Sequence, residues 1–257
     1  MKIAVCIKQT FDTEAVICLN SEGAIDKTGV KLILNPYDEF AVEEALRIKE
    51  KNGGEVIVFS VGGEEPVEAI RQALAMGADR AVLIQDSALA GYDHYGVALA
   101  LSKAIEQEQC DIILSGWVSI DDGSVQVAGR IAQILDLPQI TVVTKVMVEG
   151  GKVICQREGD GIAHVVESTL PVLITAQKGL NEPRYPNLKS ILQAKKKPIK
   201  TVALMDLGLP AEQVEAKIEN IGYSIPVPRK AGKILDGEAQ DTVGQLVNLL
   251  RNEAKVI

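Results

Sequence analysis

Cysteine and histidine are scarce: four and two in 257 residues. Cys6, Cys18, Cys110 and Cys155 are scattered and show no CxxC spacing, which argues against a disulfide framework or a thiolate metal centre. They read mostly as inert core thiols. His94 and His164 stand far apart without ligand-spaced partners, so no protein metal site is expected. Positive charge is in the minority, 27 Lys and Arg against 35 Asp and Glu, and a net charge of −8 disfavours nucleic acid as a partner. The basic run Lys195, Lys196, Lys197 lacks aromatic stacking residues nearby and reads as a solvated helix end. No apolar run approaches the ~20 residues of a membrane span. The opening MKIAVCIKQT reads as a buried strand, not a signal peptide, so a cytoplasmic protein with no membrane span is the expectation. Finally, GxGxxG does not follow the first strand and GxxxxGK[ST] occurs nowhere, which argues against a standard nicotinamide Rossmann domain and a P-loop nucleotidase.

What is present is a rhythm of strand and helix. Residues 3–7, 56–61, 81–84 and 112–115 are short apolar runs of the kind buried on both faces of a parallel sheet. Between them, Phe40, Ala41, Glu44, Ala45 and Ile48 mark a helix closed by Gly53 and Gly54, and Pro66 opens another that stops at Gly77. Residues 92–109 and 124–135 supply two more helices. Gly150 and Gly151 between alternating runs signal a hairpin, with further strand over 165–175 around Pro171. The expected fold class is α/β: a doubly wound, mostly parallel, Rossmann-like sheet with an added antiparallel hairpin and a C-terminal arm. The expected division is an α/β nucleotide-binding domain over 1–190 and a helical and extended arm over 191–257. In that arm Val243, Leu246, Val247 and Leu250 face inward on a last helix.

Ligands of open α/β sheets bind beyond the carboxyl ends of the strands, where strand order reverses. The segments reaching that edge hold Cys6, Ile7 and Lys8 after the first strand, Val61 and Gly62 after the second, and Trp117 after the fourth, with Asn35 alongside. The chemically suggestive segment is SIDDGSVQV. Gly123 allows close backbone approach, Ser124 is placed to cap the next helix, and the N–H groups of Val125 and Gln126 favour a pyrophosphate, with Val127 completing the cofactor-binding stretch. Asp121 and Asp122 either cap the turn or accept from sugar hydroxyls. Trp117 reads equally as a packing residue or a ring contact for a nucleotide.

The segment LNEPRYPNLKSILQAKKK combines a loop stiffened by Pro183 and Pro186 with a short helix carrying Leu188, Ile191 and Leu192 on one face. It fits either protein docking, with Leu180 as an apolar tip, or a solvated loop and helix end. Read as a string, it resembles the signature of the β subunits of electron-transfer flavoproteins. KIAVCIKQ, NPYDEFAVEEALRIKEK, ALAMGADRAVLI, SIDDGSVQV and REGDG before STLPVLIT fall in that family's order, over nearly the whole chain.

The resemblance implies an adenine-nucleotide-binding fold and a heterodimer with an alpha subunit on which the arm packs. It implies FAD in this subunit as in the electron-bifurcating branch, with NADH as electron donor, because Trp117 stands where AMP-binding members often carry lysine. Ferredoxin or flavodoxin, and a dehydrogenase such as an acyl-CoA dehydrogenase, would be the acceptors. The alternative is the simpler carrier with structural AMP; without the resemblance, a small ATP- or AMP-binding α/β protein would also fit. It further implies a docking loop over 177–190 in which Leu180 is the anchor, accompanied by Asn181, Glu182, Arg184 and Tyr185. No side chain is expected to act as nucleophile or general base. His164 replaces a glutamate frequent in the family.

Overall fold

The computed structural model describes residues 1–89, 91–229 and 231–257. In chain order the elements are β1 (Lys2–Cys6), β2 (Gln9–Phe11), β3 (Cys18–Leu19), β4 (Ile25–Asp26), β5 (Leu32–Leu34), α1 (Pro36–Asn52), β6 (Glu55–Val61), α2 (Pro66–Met76), β7 (Arg80–Ile84) and α3 (His94–Glu108). Then follow β8 (Ile112–Gly116), α4 (Val127–Ile134), β9 (Gln139–Glu149), β10 (Lys152–Gly159), β11 (Ile162–Thr169), β12 (Val172–Ala176), α5 (Leu188–Ala194), β13 (Ile199–Val202), α6 (Ala211–Val214) and α7 (Ala239–Asn248).

The main sheet runs β11-β10-β9-β12-β8-β1-β6-β7-β13. Every pairing from β9 to β13 is parallel, and β10 and β11 extend one edge as antiparallel strands. The expected mixed, doubly wound α/β fold is therefore what the chain adopts. The continuous apolar strands explain it: Ile3 and Val5 of β1 pack with α1 and α2 on one face, while Ala4 and Cys6 pack with α3 and α4 on the other. Pro66 opens α2 and Gly77, at φ 143, ends it. The run expected over 165–175 is two strands, β11 and β12, divided at Leu170 and Pro171.

Two compact units divide the chain: Met1–Ile17 with Lys27–Ile221, and Cys18–Asp26 with Gly222–Ile257. The boundary expected at residue 190 thus moves to Ile221. The reason is β13, which pairs with β7 and completes the sheet edge, and α6, whose Val214 is buried with α3 residues. Lys197 is not a free helix end either. Its Nζ donates to the carbonyls of Leu74 (3.0 Å) and Ala78 at the end of α2, and Arg71 of α2 donates to those of Ala194 (2.6 Å) and Lys197 (2.8 Å). Each helix end thereby receives a cation from the other, which satisfies terminal carbonyls and suits both helix dipoles.

In the second unit β3 pairs with β4, and Lys233 pairs with Glu253 at 2.7 Å. Val243, Leu246 and Val247 of α7 are exposed, contrary to the expected inward stripe. A small unit with so little regular structure cannot bury that stripe by itself.

Candidate ligand site at the strand-order switch

From β1 the chain builds outward through β6 and β7, then returns to the other side of β1 as β8. The carboxyl ends of β1 and β8 stay paired, Cys6 opposite Ser115, but the connections that leave them lead to helices on opposite faces and line a crevice between them. Asp38, in the first turn of α1 and only 5 % exposed, clips the two ends. Its Oδ2 accepts from the Lys8 N–H at 2.8 Å and its Oδ1 from the Gly116 N–H at 2.9 Å. Burial pushes this carboxyl up to about 7, against the downward pull of those bonds. Gly116 has to lack a side chain here, because a Cβ would lie 2.5 Å from Asp38 Oδ1 and 2.7 Å from the Tyr37 Cβ.

Asn35 is buried just before α1 and pins the next loop: its Nδ2 donates to the Val118 carbonyl (3.0 Å) and its Oδ1 accepts from the Ile120 N–H (3.3 Å). Lys8 reaches over the crevice to Asp121 at 2.7 Å and Asp122 at 3.4 Å. Burial alone would depress the Lys8 ammonium, but Asp121 and Asp122 together outweigh it and the group is shifted upward. Asp122 accepts from the Ser124 N–H (2.8 Å) and the Ser119 hydroxyl (3.0 Å) and lies 3.2 Å from His94 Nε2. Burial opposes its ionisation, yet these bonds and Lys8 hold its carboxyl well below the usual range. Cys6 and Ile7 form the buried floor, and burial keeps the Cys6 thiol far above its ordinary value, so it is no thiolate at neutral pH. Val61 ends β6, and the Gly62 N–H donates to the Ile84 carbonyl (3.1 Å).

Several sequence expectations change here. Ser124 does not cap α4: its N–H is taken by Asp122, Val125 turns to φ 56, and the helix starts only at Val127 with Gln126 as its first flanking residue. That start has no side-chain cap and no acidic residue in its first turn, while Arg130 donates to the Gln126 side chain at 2.7 Å. The positive helix end and Gly123 thus remain available at the crevice. Asp122 acts as a turn cap, one of the two roles open to the pair. His94 follows the true cap, Asp93, which accepts from the Tyr95 and Gly96 N–H groups. Trp117 meets the Tyr37 ring edge-on at 5.8 Å, and its buried indole N–H finds no acceptor among the described residues.

The segment expected to dock is also arranged differently. Leu180 packs against the core instead of forming a tip, and Asn181 and Arg184 turn inward onto α1. The Glu182 carbonyl accepts from Arg47 at 3.3 Å. The physical reason is the carboxylates of α1, which draw this stretch against the helix. Tyr185 (98 % exposed) and Leu188 (74 %) point outward instead, with Ile191 and Leu192 beside them. A shallow hollow lined by Leu188, Lys189, Leu192, Gln193 and Lys196 lies on this face. Sequence reasoning missed Leu188 as the protruding residue although its spacing with Ile191 and Leu192 was visible. It also missed Asp38, whose partners are 30 and 78 residues away.

No group of His, Cys, Asp or Glu among the described residues is placed to hold a metal ion, and none of their helices is long and apolar enough to cross a membrane. Fold and crevice together define a doubly wound α/β protein with an open crevice at the β1/β8 switch. The family model described as the electron transfer flavoprotein domain matches residues 23–207. Electron transfer flavoprotein subunit beta of Bacillus subtilis (strain 168) is 46% identical over 100% of both chains. The same-named subunit of Syntrophomonas wolfei is 45% identical over 100% of this chain and 98% of its own. The caffeyl-CoA reductase-Etf complex subunit CarD of Acetobacterium woodii is 36% identical over 98% and 99%. The chain belongs to the electron transfer flavoprotein family and is similar to its beta subunits.

Proposed function

We propose that this chain is the beta subunit of a heterodimeric electron transfer flavoprotein and holds FAD in the crevice at the β1/β8 switch. The observation that carries the reading is the convergence there of Lys8, Asn35, Gly116, Trp117 and residues 121–127 around an uncapped helix start. The residues fit the adenosine diphosphate part of such a ligand. The open N–H groups at the start of α4 and the Arg130 side chain suit a diphosphate, Asp121 suits sugar hydroxyls, and the unpartnered Trp117 indole N–H suits a ligand acceptor. FAD supplies the electron- and hydride-accepting chemistry when bound. The chain's own residues bind and orient: Asp38 fixes the crevice width and Asn35 holds the loop over it.

NADH is the proposed donor. Ferredoxin or flavodoxin and a dehydrogenase, of acyl-CoA or related type, are the proposed acceptors, in the cytoplasm. The relative named for a caffeyl-CoA reductase-Etf complex supports a working link to a reductase. The exposed stripe of α7 and the exposed Ile225 and Val227 support an arm over 222–257 that packs on an alpha subunit. The face of Leu188, Ile191 and Leu192 is the proposed dehydrogenase contact.

Cofactor release from the complex co-expressed with its alpha subunit tests the assignment. Two FAD and no AMP per pair are expected. One FAD with one AMP would make this chain the subunit of a simple carrier, with Trp117 as a packing residue only.

A further inference from the structure

α5 has seven residues, too few to hold a helix by their own hydrogen bonds, and Ala194 is its only buried residue. Its outward apolar residues, Leu188, Ile191 and Leu192, stay largely exposed and contribute little to fixing it. Besides the Asn187 side chain, which caps its start by accepting from the Ser190 N–H at 2.9 Å, charged groups hold it at either end. Arg71 takes the carbonyls beyond its last turn. Before its first turn, the guanidinium of Arg184 lies between two carboxylates of α1: Nε to Glu43 Oε2 at 2.8 Å, Nη2 to Glu43 Oε1 at 3.1 Å, and Nη1 to Glu50 Oε1 at 2.6 Å. The Arg184 N–H also donates to Glu43 Oε2 (3.2 Å).

Glu43 has a side chain only 3 % exposed. Arg47 donates to it at 2.8 Å, and beside it Asn181 donates to Glu44 at 2.9 Å. Burial opposes ionisation of Glu43, but Arg184 and Arg47 hold it below the ordinary carboxylate range. A charge-assisted fork of this kind fixes orientation as well as distance. Pro183 and Pro186 on either side stop the short connection from relaxing.

We infer that Arg184, seated on Glu43 and Glu50 of α1, is a positioning residue that presets the Leu188 and Leu192 face for the partner dehydrogenase. This rests on the proposal that the face is the dehydrogenase contact. The fork substitutes for a buried helix face: it orders the contact surface before the encounter, so the ordering cost is met in folding and not in binding. Lysine replaces it only in part, having no planar fork to span both carboxylates.

The test uses the co-expressed complex and its electron delivery to an acyl-CoA dehydrogenase, measured over a range of complex concentrations. In Arg184→Leu the KM is expected to rise roughly ten-fold, with the limiting rate within about two-fold and flavin content retained. Arg184→Lys should lie between it and the wild type, and trypsin should cut at Lys189 and Lys195 faster in both. Glu50→Gln, which removes only the exposed arm of the fork, should give a smaller rise in KM should Arg184→Leu fail to fold. An unchanged KM in Arg184→Leu, or in Glu50→Gln when that is the variant that folds, overturns the inference. If Leu188→Ala still raises KM, the docking reading survives that failure. A wild-type KM in Leu188→Ala overturns both.

Discussion

Replacing Asp38 by alanine is expected to destabilise the chain by about 2–4 kcal/mol and to release the nucleotide proposed for the crevice. The two backbone N–H groups that Asp38 accepts come from the ends of adjacent strands, Lys8 and Gly116, and neither has a substitute acceptor within the clip. Each part-buried donor left unpaired costs on the order of 1–3 kcal/mol. The crevice should loosen as well, since Asp38 is the group that joins the Lys8 and Gly116 backbones directly, leaving only the Lys8 side chain's pairs with Asp121 and Asp122 and the Asn35 bonds across that level. The same group makes stability depend on pH. Its folded value is raised from 3.8 to about 7, chiefly by burial, so its contribution is fully present below the unfolded value and is lost as pH rises through about 7. Denaturant midpoints should therefore fall more steeply across that interval in the wild type than in Asp38→Asn. Parallel curves would show that Asp38 is not the titrating group, and an unchanged midpoint in Asp38→Ala would show that the clip contributes nothing.

Replacing Leu188 by aspartate is expected to lower kcat/KM for electron delivery to the dehydrogenase by roughly thirty-fold or more. The side chain is 74 % exposed in the chain alone, so its loss removes little folding stability. In a complex it would fill an apolar recess, where burying a leucine contributes about 1.5–3 kcal/mol and a carboxylate would have to be desolvated. Circular dichroism and flavin content should match the wild type. Delivery at the wild-type rate would remove this face from the contact.

The parts of the fold set by local pattern were legible in the sequence. Apolar runs gave β1, β6, β7 and β8, and Pro66 with Gly77 bracketed α2, because a buried parallel strand and a helix stop have unambiguous residue types. The helix start after SIDDGS was less so. Ser124 is a good cap by type, yet Asp122 takes its N–H first and delays α4 to Val127. Charge contacts across long sequence distance were not legible. Nothing in NPYDE shows that its aspartate joins two strand ends, and nothing in LNEPRYPNL shows that Asn181 and Arg184 turn onto glutamates 137 and 141 residues earlier. That last arrangement is what moves the protruding position from Leu180 to Leu188. The apolar positions of α7 were read correctly as a stripe but assigned to the wrong environment, since periodicity shows a face and not what covers it.

The central claim is that the nucleotide sits at the β1/β8 switch, and hydrogen exchange tests it most directly. The complex with its alpha subunit would be compared before and after nucleotide is stripped and then restored. Added nucleotide should slow exchange in residues 6–9, 61–64 and 116–127 of this chain. Unchanged exchange in those three stretches, with protection elsewhere, would place the nucleotide outside the crevice and contradict the account.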